Sequence, residues 1–323
     1  MEFKWYFKNI SVVEVFVTSN IYKCMASTVF HIEGGIGKNI AATAVVAAYK
    51  KAKPKRKIIV VSAWPEVWNL NSDVARFYRI GNTPYFYQDV IKGKDVEVYA
   101  QDPYKQTSHI TKKAHLIDTW CKMVGVKNNS EKPKLEFNFR EVEEGGAYVN
   151  QFNETNKPVL IFQPFGGPGP EHQQHPYSWT RDMHPHQAQE LVDKLADKYN
   201  IIHVCYEFHP RLNNCHRFDK IVGKKALFAM LAHSEKRVLI DSSLQHAANA
   251  LDLPSTVLWV STEPTLFGYD THDNHNTKVQ YKNGTIDSYL FDYQFTGLIH
   301  ECPFKSKDYE LHDIDTVVKS VLT

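Results

Sequence analysis

Disulfide chemistry has little to work with in this sequence: it holds five cysteines, Cys24, Cys121, Cys205, Cys215 and Cys302, widely spaced and with no CxxC pair. An odd, scattered set argues against a disulfide framework and for a reducing compartment, so a cytoplasmic location is expected. The grouping of Cys205, His209, Cys215 and His216 matches no common zinc spacing, so neither a metal nor a cofactor is expected. Long apolar runs are missing too. The stretch "ISVVEVFV" near the start is short, is interrupted by Glu14, and precedes no clear small-residue cleavage site. It is too short to span a bilayer, and it reads as neither a signal peptide nor a transmembrane segment. Residues 1–24 read instead as a leader outside the core, with Met25 standing just before the first good strand. Net charge is low, +2 from 38 basic and 36 acidic residues, which gives no argument for nucleic acid and does not exclude it. The dense basic run "KKAKPKRK" (Lys50 to Lys57) reads as cations at a helix C-terminus followed by a solvated loop. Internal repeats and low-complexity tracts are absent.

What is present is an ordinary globular composition, 43% hydrophobic and 23% charged over 323 residues, enough for two domains with real cores. Strand and helix patterns alternate. "STVFHI" reads as a strand, "NIAATAVVAAYKKA" as a helix with Ile40, Ala44, Ala47 and Ala48 on one face, and "KIIVVS" as a strand buried on both sides. "ARFYRI" and "VEVYA" follow as strands, then "SHITKKAHLIDTWCKMVG" as one helix ended by Gly125. Lys127 to Lys157 shows no sustained period, and the domain boundary is expected near Glu154 to Pro158. The alternation then restarts with "PVLIFQ", a Gly/Pro-rich loop "PFGGPGPEHQQHPYSW", a helix "HQAQELVDKLADKY", and the strands "IIHVCY", "RVLID" and "STVLWV". "SLQHAANAL" is a short helix between the last two strands. "DIDTVVKSVL" is a final helix, able to pack back on the fold. The expected fold is α/β: two Rossmann-like parallel-sheet domains, residues 25–155 and 156–323, facing each other across a cleft at the carboxyl ends of their strands.

Two stretches carry chemistry. In "EGGIGKNIAA", Gly34, Gly35, Gly37 and Lys38 resemble the deviant phosphate loop K-G-G-x-G-K-[ST] of certain ATPases. Glu33 replaces the signature lysine and Asn39 replaces the hydroxyl that ligates the metal. In "VLIDSSLQHAANALDLPSTVLWVSTEPTLFGY", a strand ends in Asp241, and Ser242 and Ser243 open a helix whose unpaired N–H groups form an anion site suited to a diphosphate. Leu244, Ala247, Ala248 and Leu251 make its buried stripe, leaving His246 able to face the cleft. The plainer alternative is an N-cap serine with an exposed histidine.

The second stretch resembles glycosyltransferase family nine, the group of the ADP-heptose:lipopolysaccharide heptosyltransferases. Asp241, Ser242, Ser243, His246, Ala248, Ala250, Leu251 and Pro254 fit its pattern D-[ST]-[GAS]-x-x-H-x-A-x-A-[LM]-x-x-P. Thr262 and Pro264 fit the turn after the next strand, with Ser261 near the family's glycine. "GGIG" is similar to the family's opening turn, and the stretch through Trp179 is similar to its K-x-W motif. The resemblance runs from Ser27 through most of the chain. It implies a GT-B fold and an inverting, metal-independent transfer of a sugar from a nucleotide-diphosphate donor on the C-terminal domain to an acceptor hydroxyl entering from the N-terminal domain. Asp241, Ser242, Ser243 and His246 would then hold the donor's diphosphate and sugar, and Glu207 its ribose. The acceptor would be a glycan, a lipid-linked sugar or modified DNA.

Two departures stand out. The family's opening turn carries a general-base aspartate where this chain has Lys38, which cannot accept a proton while charged. Another carboxylate must then serve, Glu33 at the tip of the same strand or Asp102 in "AQDPY", with Asp73 third. Otherwise the chain is inactive or its mechanism differs. Each carboxylate also has the plain reading of a turn cap. The family's phosphate-binding lysine is Tyr177 here, and Arg181 or Lys38 could supply that charge. The alternatives are a GT-B enzyme acting on hydroxymethylated bases of DNA, a phosphate-loop ATPase, and a glycosyltransferase-fold binding protein without activity.

Overall fold

The structure is a computed structural model, and it describes residues 26–111, 113–153, 156–167, 181–260, 262–277 and 310–323. The first half forms a sheet of four strands in the order β3-β2-β1-β4. These are β1 (Ser27–Ile32), β2 (Lys57–Ser62), β3 (Arg76–Arg79) and β4 (Val96–Tyr99), all paired in parallel. Helix α1 (Ile36–Ala52) crosses between β1 and β2. Its alanines let it be buried all round, from Lys38 to Tyr49, rather than along the single face that the sequence suggests. Such a helix must lie between packed layers.

The stretch read as one helix after β4 is broken into α2 (Thr107–Ile110) and α3 (Leu116–Met123). The cause is local. His115 leaves helical geometry at φ −58, ψ 149, and its Nδ1 accepts the Ile117 N–H, so it caps a new helix.

The second sheet has six strands in the order β10-β9-β8-β5-β6-β7, again parallel throughout. They are β5 (Val159–Phe162), β6 (Asn200–Val204), β7 (His216–Phe218), β8 (Lys236–Ile240), β9 (Thr256–Trp259) and β10 (Asp273–Asn276). Helices α5 (Pro185–Leu195), α6 (Lys224–Ala229), α7 (Ser243–Ala250) and α8 (Pro264–Phe267) connect them. The last helix, α9 (Ile314–Leu322), packs Ile314, Val317 and Val321 against Leu191, Val192 and Leu195 of α5. In each sheet the chain winds outward to one side and then returns to the other. The reversal lies between β1 and β4 in the first sheet and between β5 and β8 in the second, and sheets of this kind bind ligands at that switch point, past the strands' carboxyl ends.

Three elements differ from the sequence reading. β7 and β10 arise in polar stretches that look like loops. β10, "DNHN", is held by its ladder to β9 and by the Trp259 indole donating to Asn274 Oδ1 at 2.9 Å. Helix α4 (Phe139–Asn150) occupies the stretch read as aperiodic. Its start is signalled by a capping box: Asn138 accepts the Glu141 N–H, and Glu141 in turn accepts the Asn138 N–H.

Gly145 lets α4 lie close against α6, since a Cβ there would sit 2.7 Å from the Ala229 Cβ and 2.9 Å from the Ala226 carbonyl. Gly145→Ala should therefore destabilise the protein by about 1–3 kcal/mol, read as a lowered urea midpoint. Gly223→Ala, which meets open space, should change it little.

Candidate functional site

The site begins where the two switch points meet. After β1 the chain turns through Gly34, at φ +92, into Gly35, the cap of α1. A Cβ on Gly34 would lie 3.1 Å from Lys38 Cδ, besides forcing a side chain into the left-handed region. The turn is pinned from β2. The Trp64 indole donates to the Gly34 carbonyl at 3.0 Å, and the Ser62 hydroxyl donates to Asn39 Oδ1 at 2.6 Å. Asn39 is fully buried and donates to the Gly35 carbonyl at 3.0 Å. In the second half, Ser242 caps α7. Its hydroxyl accepts the Leu244 N–H and donates to Gln163 Oε1, which follows β5 across the switch point. The first turns of α1 and α7 abut: a Cβ on Gly37 would sit 2.7 Å from His246 Cδ2 and 3.4 Å from Ser243 Cα. Both helix ends carry unpaired N–H groups and the positive end of a helix dipole.

Lys38 does not project as a phosphate lysine. Its buried ammonium donates to Asp102 Oδ1 at 2.8 Å and lies 4.8 Å from the Tyr104 ring centre and 5.7 Å from that of Trp120. Asp102 follows β4, on the other side of the first switch point, and its Oδ1 also accepts the Tyr104 N–H at 3.1 Å. Its side chain stays 32% exposed. Glu33 is 74% exposed, with His31 Nδ1 3.9 Å away. Asp73 is tied to Lys134 at 2.6 Å. Of the candidate carboxylates, Asp102 is the one bonded to Lys38 in the first turn of α1.

No protein-family model matches the sequence, and none of the curated proteins does. Solved structures do. The glycosyl transferase family 9 protein from Veillonella parvula aligns over 91% of this chain and 95% of its own, at a TM-score of 0.63 and 14% identity. E. coli ADP-heptose lps heptosyltransferase II aligns over 93% of this chain and 100% of its own, at 0.59 and 14%. The dodecameric iron-containing heptosyltransferase TibC of enterotoxigenic E. coli, in complex with ADP-D-beta-D-heptose, aligns over 92% of this chain and 77% of its own, at 0.61 and 11%. The chain has the GT-B glycosyltransferase fold.

On the second sheet of this GT-B fold, Asp241 follows β8. Burial raises its pKa, while the neighbouring Thr262 hydroxyl and the Arg181 guanidinium pull the other way. Thr262 is buried, and Arg181 donates to the Gly167 carbonyl at 3.0 Å. His246 is buried rather than facing an open cleft. Its Nδ1 pairs with the Tyr269 hydroxyl at 2.7 Å, and burial pushes its pKa down to about 3, so it is neutral. Glu207 is exposed in the turn after β6. Tyr177, Trp179, Ser261, Lys112 and residues 1–24 lie outside the described residues.

Two further groupings have other roles. Burial pushes the Cys205 and Cys215 thiols up to about 12 and about 11, which keeps them protonated at neutral pH. Among the described residues, no group of three or more metal-ligating side chains comes together, and no helix is long and apolar enough to cross a membrane. The basic run sits at the opposite end of α1 from the site. Lys50 donates to the Pro54 and Arg56 carbonyls, Lys53 pairs with Glu97, and Arg56 lies beside Asp95 and Glu97. Lys50, Lys53 and Arg56 of the run are thus engaged in local pairing at that far end. Sequence reasoning missed Trp64, Tyr104, Gln163 and Tyr269. The first three were findable, since each follows a strand's carboxyl end.

The halves also meet along an aromatic seam. Tyr104 stacks on His109 at 5.1 Å, both contact Phe267, and His115 and His246 flank Tyr269. Burial pushes His109 down to about 4. In the unfolded chain such rings take up a proton near pH 6.5. The unfolded state therefore binds more protons from about pH 6.5 down to the folded values, and stability present above that window is lost as pH falls. The expected loss approaches about 1.4 kcal/mol per pH unit for each ring, measured by urea unfolding at about pH 7.5 and about pH 5. His109→Phe should flatten the slope by one ring's share.

Proposed function

We propose that the protein is an inverting glycosyltransferase of heptosyltransferase type, moving a sugar from a nucleotide-diphosphate donor to an acceptor hydroxyl. The observation that carries this reading is the meeting of the first turns of α1 and α7 at the two switch points, with the Asp102 carboxylate at the same place. In this reading the donor sits on residues 156–323. The N–H groups at Ser242 and Ser243, Thr262 and the Arg181 cation meet the diphosphate charge that grows as the leaving group departs, without need of a metal. Residues 25–155 carry the acceptor, a glycan or lipid-linked sugar. Asp102 takes the proton of the acceptor hydroxyl as its oxygen bonds to the anomeric carbon. The bond from that carbon to the phosphate oxygen breaks, its electron pair leaving with the diphosphate, so a single displacement inverts the centre. Lys38 stands where the family's aspartate would and holds the substitute carboxylate in place. The scattered cysteines favour a cytoplasmic setting.

Incubation with ADP-, UDP- and GDP-sugars should raise the melting temperature with at least one and give slow donor hydrolysis. No shift with any of them sinks the reading. Asp102→Asn should lower transfer by about 10²–10⁴-fold with donor binding retained, while Glu33→Gln should stay close to wild type. The reverse ranking would overturn the base assignment. A second reading, donor binding without transfer, is favoured by the Lys38–Asp102 ion pair, because Asp102 Oδ1 is already taken by the Lys38 ammonium and the Tyr104 N–H. Retained donor binding with no product on any acceptor would select it.

A further inference from the structure

We infer that Tyr104 is a positioning residue: it sets the Asp102 base of the first half against Phe267 of the donor half, so that base and donor keep a fixed spacing. The inference rests on the base and donor reading above and adds residues that the family resemblance does not assign.

Asp102 stands on little chain of its own. It caps one short helical turn, Pro103–Lys105, as the chain leaves β4, and so short a turn has few bonds of its own to fix a side chain. Among the described residues, both bonds to the carboxylate fall on Oδ1: the Lys38 ammonium donates at 2.8 Å and the Tyr104 N–H at 3.1 Å. Oδ2 is thereby left for the proton of the acceptor hydroxyl. Each of the two bonds leads to Tyr104. One is its own N–H. The other comes from an ammonium that lies over the Tyr104 ring, 4.8 Å from its centre, within reach of cation–π attraction. Displacing the ring would disturb both donors, and the carboxylate with them.

The ring is held from outside its own turn. His109 stacks on it, 5.1 Å between centres with 9° between planes. The His109 ring is fully buried, and neither of its nitrogens has a hydrogen bond among the described residues, so what it contributes is a flat face. From the second half, Phe267 meets Tyr104 edge-on at 5.9 Å and His109 at 5.3 Å, spacings favourable for ring pairs. Phe267 is itself fixed. It is buried at the end of α8, and its carbonyl accepts the side-chain N–H of Gln245, fully buried on α7, at 3.0 Å. α8 is tight, since a Cβ on Gly268 would lie 2.7 Å from Pro264 Cα. In the reading above these same two elements carry the donor: α7 opens at Ser242 and Ser243, and α8 begins just after Thr262. The line from donor to base thus runs through Thr262, α8, Phe267 and Tyr104 to Asp102.

Transfer depends on this spacing. The base and the acceptor hydroxyl belong to one half and the anomeric carbon to the other, and a misplacement of about 1 Å can cost about a hundredfold in rate. A seam that merely joined the halves would, when cut, lower stability and donor affinity together. A seam that sets the base lowers turnover while donor binding stays.

The test is steady-state hydrolysis, by the full chain, of the ADP-, GDP- or UDP-sugar that wild type turns over, with water in place of the acceptor hydroxyl in the displacement described above. Tyr104→Leu, checked for an intact fold by its melting curve, should lower kcat by about ten- to a hundredfold and leave the donor KM within about twofold. Tyr104→Phe, which keeps the ring and the N–H, should recover most of that loss. Phe267→Leu, in the other half, should lower kcat likewise. The double variant should lose little more than either alone, because residues in contact on one path are not additive. Wild-type kcat in Tyr104→Leu or in Phe267→Leu overturns the positioning role and leaves the donor reading standing. So does a loss that falls on KM rather than kcat, or full multiplication of the two losses in the double variant. Should Tyr104→Leu fail to fold, Phe267→Leu decides alone. Wild type that binds donors and hydrolyses none overturns this role and selects binding without transfer, and wild type that binds none sinks both readings.

Discussion

At the site the two halves meet through one contact, the first turn of α1 against the first turn of α7 at Gly37, Ser243 and His246. A side chain at position 37 would have to displace an imidazole that is already bonded to Tyr269. The contact brings two helix N-termini to one point, and with them the positive ends of two dipoles. Everything proposed for the site depends on that convergence, and so does the core. α1 is covered by its own sheet, by α3 and by α7, so a single apolar cluster runs from Phe30 and Ile58 to Leu239 and Trp259. The helix whose first turn meets α7 is thus also the joint between the sheets.

Around this joint the charges are arranged economically. Lys38 would be hard to bury alone. Asp102 reaches it from the far side of the switch point, and the Tyr104 and Trp120 rings lie beside the ammonium. A position that reads from the sequence as an intruding cation is, in the fold, half of a pair. Asp102 comes from the loop after β4, the strand beside β1, so the acid group beside Lys38 is distant in the chain and near in the fold.

Much of this was legible beforehand, for physical reasons. Buried parallel strands leave continuous apolar runs, as in "KIIVVS", and small-residue helices beside glycine turns mark close packing. The elements that escaped were those stabilised by partners distant in sequence. β10 has no apolar residue and exists because β9 offers it a ladder and Trp259 a hydrogen bond. The break between α2 and α3 depends on a histidine acting as a cap, a role not written in helix propensity. α4 was concealed by its glycines, which lower helix propensity yet are needed where α4 meets Ala226 and Ala229; its capping box, Asn138 with Glu141, was visible and went unused. In the site, Asp102 was named among the candidates from its place after a strand, but its partner could not be. Contact between Lys38 and a residue after β4 follows from strand order, which local patterns do not encode.

The outer strands have a consequence beyond the cleft. Among the described residues, the second sheet ends on β10, "DNHN", at one side and on β7, "HRF", at the other, while β3, "RFYR", closes one side of the first. An open strand edge is a template on which another chain can pair, and charged or polar residues make such pairing unfavourable. Edge strands this short and this rich in polar residues are therefore well suited to keep the sheets from growing by recruiting a neighbour. Their lack of hydrophobic pattern, a loss of signal to the reader, protects the folded chain at its margins.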